Sequence, residues 1–498
     1  MTLLTLCEQT GVKCPKHLEA REVCGITSNS KKVENGYVFV CIEGTHIDGH
    51  LYIGEALKRG ALAVVIQKKE YLSEISVFSE NSRKTLSYML DAFYSYPSKK
   101  MKFIGVTGTN GKTSVSVMLK NILDCAGIPC GLIGTVKCSS LGVEIEKHPD
   151  NPLSNMTTPD PEELYPMLAS MVCDGVRYVI MEATSHALFL EKLAPIEFDV
   201  GIFTNLTQDH LDFHPSMEEY FNAKLKLFEQ SRVGIVNIDD AFGEKIKKLA
   251  SRTVKTCSAR GKNCDYRAEN IKNMSVSGVE YTLESADGSF PLYCSVPGTF
   301  SVMNSMQAAA CAIEIGIDEE AVQRSFESFC GICGRLEKVS FSENVDFSLF
   351  IDYAHTPDAL ENLISSARTF RAAGQRIVLL FGCGGDRDRG KRSKMGRIAT
   401  DGADFVIITS DNSRSEDPEN IIKEILAGVD KKDNFIAIPD RKAAIEYAIA
   451  SSREGDIILL AGKGHETYEI NASGRHSFDE RKIAADAVEK YYCKKREN

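Results

Sequence analysis

The amino-acid sequence predicts an α/β protein built in three domains around a mostly parallel central sheet, and three observations carry that reading. Short apolar runs alternate with helical stretches along nearly the whole chain. The runs are rich in Val and Ile with little polar interruption, as strands covered on both faces are. One of them enters a glycine turn carrying Lys112 and Thr113 and leaves as a helix, the layout of a phosphate-binding loop.

Taken in order, the strand-like runs fall at residues 36–41, 61–66, 102–106, 177–181, 200–203, 234–237, 376–381, 404–409 and 456–460. The segment 94–100, with Pro97 among polar residues, suits a linker ahead of the phosphate loop. A second boundary falls near Cys330, after a helix and before a new set of strands. The domains are therefore expected at 1–98, 99–332 and 333–498. A chain of 498 residues exceeds what one core usually supports.

Composition narrows the function. Hydrophobic residues make up 43% and charged residues 26%, as in an ordinary globular protein. The net charge of -10 argues against a nucleic-acid binder. No apolar run reaches membrane-spanning length, and the N-terminus lacks the pattern of a secretory signal, so a cytoplasmic location with no membrane partner is expected. The 16 cysteines are scattered, and Cys330-Gly331-Ile332-Cys333 is the one CxxC, so reduced thiols are expected rather than a metal or disulfide framework.

In the loop Thr107-Gly108-Thr109-Asn110-Gly111-Lys112-Thr113, Val106 stands where the strict phosphate-loop pattern has its first glycine. Gly108 and Gly111 let the backbone turn its amides inward, Lys112 suits the β/γ-phosphates of a nucleotide triphosphate, and Thr113 suits Mg²⁺. The run 177–181 ends at Glu182, the first candidate metal ligand, followed by Ser185-His186. The run 200–203 leads into Thr204-Asn205-Leu206-Thr207-Gln208-Asp209-His210-Leu211-Asp212-Phe213-His214, where oxygen and imidazole ligands crowd a strand's carboxyl end. Taken by itself, Lys224 reads as an exposed helix lysine.

Together these segments resemble the Mur ligases, ATP-dependent amide-forming enzymes of peptidoglycan synthesis, and Tyr220-Phe221-Asn222-Ala223-Lys224-Leu225-Lys226-Leu227-Phe228 matches that family's segment bearing a carbamylated lysine. The resemblance implies a UDP-sugar-binding N-terminal domain, a central ATPase domain and a Rossmann-like C-terminal domain. It implies catalytic roles for Lys112, Glu182, His210 and Lys224, with Thr113, Glu182, His210 and Lys224 as N6-carboxylysine holding Mg²⁺. ATP is expected on Gly108, Thr109, Asn110, Gly111, Lys112, Thr113, Ser114, Asn304 and Arg335. The UDP-sugar substrate is expected on Ser30, Thr157, Thr158, Ser185 and Lys192. Asn29-Ser30-Lys31-Lys32-Val33 and Gly44-Thr45-His46-Ile47-Asp48-Gly49-His50 match the branch that adds the third peptide residue. Within that branch Met156 replaces an Asn, while Leu190 and Lys192 replace Gln and Arg.

Towards the C-terminus, Gly334-Arg335-Leu336-Glu337, Asp352-Tyr353-Ala354-His355, the Gly382–Arg392 loop with four cationic residues in six, and Gly462-Lys463-Gly464-His465-Glu466 extend the resemblance over nearly the whole chain. It implies an amino-acid site on Arg387, Asp411, Asn412, Arg414, Gly462 and Glu466. Members that add diaminopimelate carry Asp-Asn-Pro-Arg where this chain has Asp411-Asn412-Ser413-Arg414. A planar Arg suits the distal carboxylate of meso-diaminopimelate, which lysine lacks. Ser413 lacks proline's fixed φ, which predicts a looser loop. The expected reaction joins meso-diaminopimelate to UDP-N-acetylmuramoyl-L-alanyl-D-glutamate through an acyl phosphate, in a monomer whose domains close on the substrates. The alternatives are a ligase adding L-lysine or another amino acid and, more remotely, a non-catalytic nucleotide-binding protein of this fold.

Overall fold

A computed structural model describes residues 1–44, 47–145, 156–210, 213–430 and 433–493. Of the quoted motifs, Thr45, His46, Leu211 and Asp212 lie outside them. The chain divides into two compact units, Met1–Arg267 with Met306–Val322 and Ala268–Ser305 with Gln323–Asn498.

The first unit opens with a parallel sheet of four strands lying in chain order, Gly25–Thr27, Tyr37–Val40, Ala63–Ile66 and Ser76–Phe78. Ala63–Ile66 reads Ala-Val-Val-Ile and is buried along its whole length, which is why its run is unbroken. The helix Ser82–Phe93 follows, capped by the Asn81 side chain, which accepts from Lys84 N. The expected linker at 94–100 is a tied turn: the buried Asp91 carboxylate accepts from Ser98 N and Oγ at 3.1 and 2.7 Å.

The unit's larger sheet runs Thr253–Ser258, Ser231–Asn237, Phe198–Phe203, Lys102–Thr107, Tyr178–Glu182, Cys130–Ile133, Cys138–Ser140 and Val143–Glu144. The first six strands are parallel, and the last two join antiparallel. Lys102–Thr107 lies between two strands that follow it in sequence, so the chain leaves it in one direction and returns on both sides. Such a reversal opens a crevice at the carboxyl ends of the strands. The register sets Val106 beside Glu182 and Thr107 beside Phe203, so the glycine turn, the carboxylate and the segment after Phe203 emerge at that one edge.

In the second unit a six-stranded sheet is ordered Glu337–Lys338, Ser348–Asp352, Ile457–Ala461, Ile377–Phe381, Phe405–Ile408 and Phe435–Ala437, parallel except for its first pair. Its core gathers Leu349, Ile351, Leu380, Ile407, Ile445, Ile458 and Leu460. Ile457–Ala461 stands between Ser348–Asp352 and Ile377–Phe381, which makes a second crevice of the same kind. Two antiparallel hairpins accompany it, Gly278–Glu284 with Ser289–Cys294 and Tyr468–Asn471 with Gly474–Ser477.

All nine expected runs are strands, with ends shifted by up to three residues. The parallel strands Gly25–Thr27, Ser76–Phe78, Cys130–Ile133, Thr253–Ser258 and Phe435–Ala437 are not among those runs, and neither are the antiparallel strands, which lack unbroken apolar runs: Ser289–Cys294 alternates exposed and buried positions, and Cys138–Ser140 is Cys-Ser-Ser. Among the described residues no helix is long and apolar enough to cross a membrane, and the fifteen cysteines whose side chains are described, Cys330 and Cys333 included, are free thiols.

Candidate active site

In the first unit the turn after Lys102–Thr107 is shaped by two glycines with positive φ. Gly108 has φ +150°, and a Cβ there would come 1.9 Å from Thr204 Oγ1; Gly111, at φ 86°, caps the helix Lys112–Cys125. The segment after Phe203 braces the turn. Thr109 N donates to Asn205 O at 2.9 Å, and Asn110 N donates to Asn205 Oδ1 at 3.0 Å. The loop thus presents a helix N-terminus with its first N–H groups unspent by intrahelical bonds, a built anion site. Ser114, in the first turn of that helix, is buried.

Lys112 Nζ donates to Gly108 O at 2.9 Å and to Thr109 O at 2.8 Å. Lys224 Nζ donates to the same Gly108 O at 2.8 Å. Lys224 is not an exposed helix lysine: it is 1% exposed on the inner side of Met217–Glu229, and its ammonium covers the Tyr220 ring at 4.5 Å. Burial pushes it well below the usual lysine range, the Lys112 charge pushes it further, and Asp209 opposes both. His210 has φ 52° and stands 6.0 Å from the same Tyr220 ring, centroid to centroid.

Glu182 is also buried, and its carboxylate is the meeting point of the site. Thr113 Oγ1 donates to Oε2 at 3.1 Å; Thr135 donates through N to Oε1 at 2.9 Å and through Oγ1 to Oε2 at 3.0 Å. Thr135 went unnoticed in sequence because it follows Cys130–Ile133, a buried strand carrying a Cys and a Gly. Gly134 makes the approach possible, since a Cβ there would sit 2.4 Å from Glu182 Oε1. Among the described residues no group of three or more His, Cys, Asp or Glu could hold a metal ion; the expected ligand set has one His, one Glu and a lysine that must first be carboxylated.

Three residues expected to meet the UDP-sugar lie against Glu182 or its neighbours. Thr158 Oγ1 donates to Glu182 O at 2.7 Å, Thr157 Oγ1 lies 2.9 Å from Thr135 Oγ1, and Ser185 Oγ lies 3.0 Å from the buried His214 Nε2. Lys192 pairs with Asp160 at 2.6 Å and also reaches Met156 Sδ at 3.3 Å, so its charge is already met by a carboxylate. Ser30 is apart from these, donating to Glu55 Oε2 at 2.8 Å.

Asn304, buried on Thr299–Glu314, and Arg335 belong to the second unit. The Arg335 guanidinium lies 5.1 Å from the Tyr353 ring centroid, and its charge acts on the half-buried Asp352. At the carboxyl edge of this unit's parallel strands, Asp411, Asn412, Arg414, Gly462 and Glu466 come together. Asn412 Nδ2 donates to Glu466 Oε2 at 2.8 Å, while its Oδ1 accepts from Lys463 Nζ at 3.0 Å and from Ile470 N at 2.9 Å. Gly462 is required: at φ +117°, a Cβ would lie 2.6 Å from Asp411 Oδ2. Burial alone would raise Asp411, but Arg441 and Lys463, with the Asn412 N–H, hold it below the usual carboxylate value. Glu466 is pushed the other way, by burial and by Asp411, against the Asn412 bond.

Arg414 Nη1 donates to Gly385 O at 2.9 Å and to Asn412 O at 3.3 Å. Its φ of 51° is strained for a residue with a side chain, at a cost on the order of 1 kcal/mol. The looseness expected from Ser413 is not what its surroundings impose. Ser413 is buried, Glu416 N donates to its carbonyl, and the loop packs so closely on Gly385 that a Cβ there would meet Ser413 O at 1.9 Å. The basic run before it divides by role. Arg392 is fully buried between Glu416 and Glu424, Arg389 pairs with Glu424 at the surface, Lys391 donates to His355 O, and Arg387 is exposed.

This geometry has counterparts among known proteins. Family models for the Mur ligase catalytic, middle and glutamate ligase domains match residues 22–93, 106–312 and 334–464. The chain belongs to the Mur ligase family. Mur ligases form amide bonds with ATP, and this chain is an enzyme of that kind. Among its relatives, the UDP-N-acetylmuramoyl-L-alanyl-D-glutamate–2,6-diaminopimelate ligase of Clostridium botulinum is 40% identical over 94% of this chain and 95% of its own. That of Clostridium perfringens is 40% identical over 98% and 100%. A solved structure of a ligase with the same name is 29% identical and superposes with a TM-score of 0.72 over 99% of this chain and 100% of that one.

Proposed function

We propose that this Mur ligase joins meso-diaminopimelate to UDP-N-acetylmuramoyl-L-alanyl-D-glutamate, converting ATP to ADP and phosphate, as a cytoplasmic monomer with domains at 1–98, 99–332 and 333–498. The observation that carries the choice of amino acid is the opposite-charge pair at the second unit's strand ends. Arg414 is a planar cation suited to a carboxylate, and Glu466, bonded to the adjacent Asn412, is an anion suited to an ammonium. The distal end of diaminopimelate bears both groups. Lysine bears only the ammonium, and would leave Arg414 unanswered in a partly buried site. The names of the relatives agree with this choice.

The phosphate loop supports ATP as the other substrate. Lys112, already turned onto the loop, would meet the β/γ-phosphates and offset the charge that builds as the γ-phosphoryl moves to the glutamate side-chain carboxylate. For a divalent cation the donor chemistry fits: the hydroxyl and carboxylate oxygens of Thr113 and Glu182 are hard ligands 3.1 Å apart. Mg²⁺ would be held by Thr113, Glu182, His210 and Lys224 as a carbamate, and would neutralise phosphate charge. The neutral amine is the form that adds CO₂, and burial and the Lys112 charge push Lys224 towards it, which supports the modification. Arg387, Asp411, Asn412, Arg414, Gly462 and Glu466 would hold the amino acid whose amine attacks the acyl phosphate.

The test is amino-acid-dependent release of ADP by the full chain with the UDP-dipeptide. Turnover with meso-diaminopimelate well above that with lysine is expected. Equal or greater turnover with lysine would overturn the reading of Arg414, and no turnover with any amino acid would favour a non-catalytic nucleotide binder.

A further inference from the structure

We propose that the hairpin Tyr468–Asn471/Gly474–Ser477 is a specificity-determining clamp that holds Arg414 in its reading position, with Arg475 as the positioning residue that keeps the clamp shut. The inference rests on diaminopimelate being the amino acid added. The backbone of Arg414 needs outside restraint: its φ of 51° is unfavourable for a side-chain-bearing residue, and the packing of Ser413 on Gly385 holds the residue before it. The hairpin supplies the restraint. Arg414 N donates to Ile470 O at 3.1 Å, and Ile470 N donates to Asn412 Oδ1 at 2.9 Å, so one residue of the hairpin grips the loop on both sides. Lys463 Nζ adds a third tie, to Tyr468 O at 2.8 Å.

The hairpin itself has little core. Every residue of Tyr468–Asn471 is half-buried and every residue of Gly474–Ser477 is exposed, and a two-stranded hairpin is marginal without packing. Ser473 Oγ bonds Asn471 Oδ1 and His476 Nε2 at the turn, each at 2.7 Å, and across the two strands the Arg475 guanidinium lies over the Tyr468 ring at 3.7 Å. The register explains the contact: Arg475 faces Ile470 directly and is the diagonal neighbour of Tyr468 on the same side of the ribbon. Burial first, then the charges of Glu466, Arg475 and Arg414, act on the Tyr468 phenol. Arg475 therefore rigidifies the strand whose Ile470 fixes Arg414. Loosening it costs the carboxylate reader its place, a loss that falls on diaminopimelate more heavily than on a substrate without that carboxylate, which feels the hairpin only through Asn412 and Glu466.

The test compares kcat and KM for meso-diaminopimelate and for lysine in the full chain, at saturating ATP and UDP-dipeptide, for wild type, Arg475→Ala and Arg475→Lys. Loss of a surface cation–aromatic stack is expected to raise the KM for diaminopimelate roughly fivefold in Arg475→Ala with kcat little changed. The KM for lysine should rise much less, so discrimination falls, and Arg475→Lys should recover most of it. Parallel loss for both amino acids, or unchanged discrimination, overturns the clamp while the wild-type preference leaves the function standing. A wild-type preference for lysine overturns the functional reading and the clamp with it.

Discussion

Glu466 shows how one carboxylate can be tuned by its neighbours. Burial raises its pKa first, and the Asp411 charge raises it further, while the amide of Asn412 pulls it back without cancelling the rise. A group with a raised pKa takes up its proton at a higher pH than an ordinary glutamate. If Glu466 must be ionised to hold the ammonium of diaminopimelate, binding weakens as pH falls through that raised value. We expect the KM for diaminopimelate to climb on the acid side, above the ordinary glutamate range, with kcat following less steeply. Glu466→Gln should bind weakly at every pH and lose that acid limb. A limb of the same shape in both proteins would show that another group titrates. Lys224 teaches the complementary lesson, since apart from the family-like segment around it nothing in its local sequence distinguishes it from a solvated lysine. Its burial comes from helix Met217–Glu229 turning that face onto Gly108, a contact 116 positions away in the chain.

At the scale of elements, the second unit's site is held up by one buried ion pair. Arg441, the first residue of helix Arg441–Ala450, bonds through Nε to Glu480 Oε1 at 2.8 Å, and Glu480 opens helix Glu480–Val488. The rest of the guanidinium donates to Ser410 O at 3.0 Å and Ala461 O at 2.8 Å, the residues just before Asp411 and Gly462. One side chain thus joins two helix starts to the two strand ends that carry the amino-acid site. Removing one member leaves a buried charge unpaired, so we expect Arg441→Met to lower stability by about 3–5 kcal/mol in urea unfolding. It should also let the Asp411 pKa rise, because Arg441 is the first-ranked charge holding it down. A loss under about 1 kcal/mol would mean that the network is relaxed and contributes little. No sequence pattern announces this pair, whose members lie 39 positions apart. The phosphate loop is legible by contrast, because its glycines, lysine and threonine are adjacent and each has a local reason to be there.

Across the whole molecule, nine of the parallel strands are legible for one physical reason. A strand buried on both faces must be apolar throughout, and Ala63–Ile66, Ile377–Phe381 and Ile457–Ala461 are. The antiparallel hairpins and edges are half wet, so they carry mixed side chains and escape that signal. The same burial pattern bears on where the chain divides. Among the described residues, those in and around the core of the six-stranded sheet fall between Val339 and Tyr491, and its strands pair only with one another. The hairpin Gly278–Glu284/Ser289–Cys294, in the same compact unit, has its side-chain ties elsewhere: Gln323 Nε2 donates to Pro291 O, and Ser295 Oγ donates to Phe329 O. The ion pairs Arg441–Glu480, Arg376–Asp456 and Arg481–Glu337 all lie beyond residue 332. A sheet with its own core, its own buried charges and its own strand order has what an independent domain needs. We therefore expect residues 333–498, expressed alone, to fold and to unfold in urea in a single cooperative transition. The Arg441→Met loss should reappear in that fragment at the same size. A fragment that unfolds gradually, or regains cooperativity only when residues 268–332 are restored, would move the boundary upstream and make the Gly278–Cys294 hairpin part of the C-terminal fold.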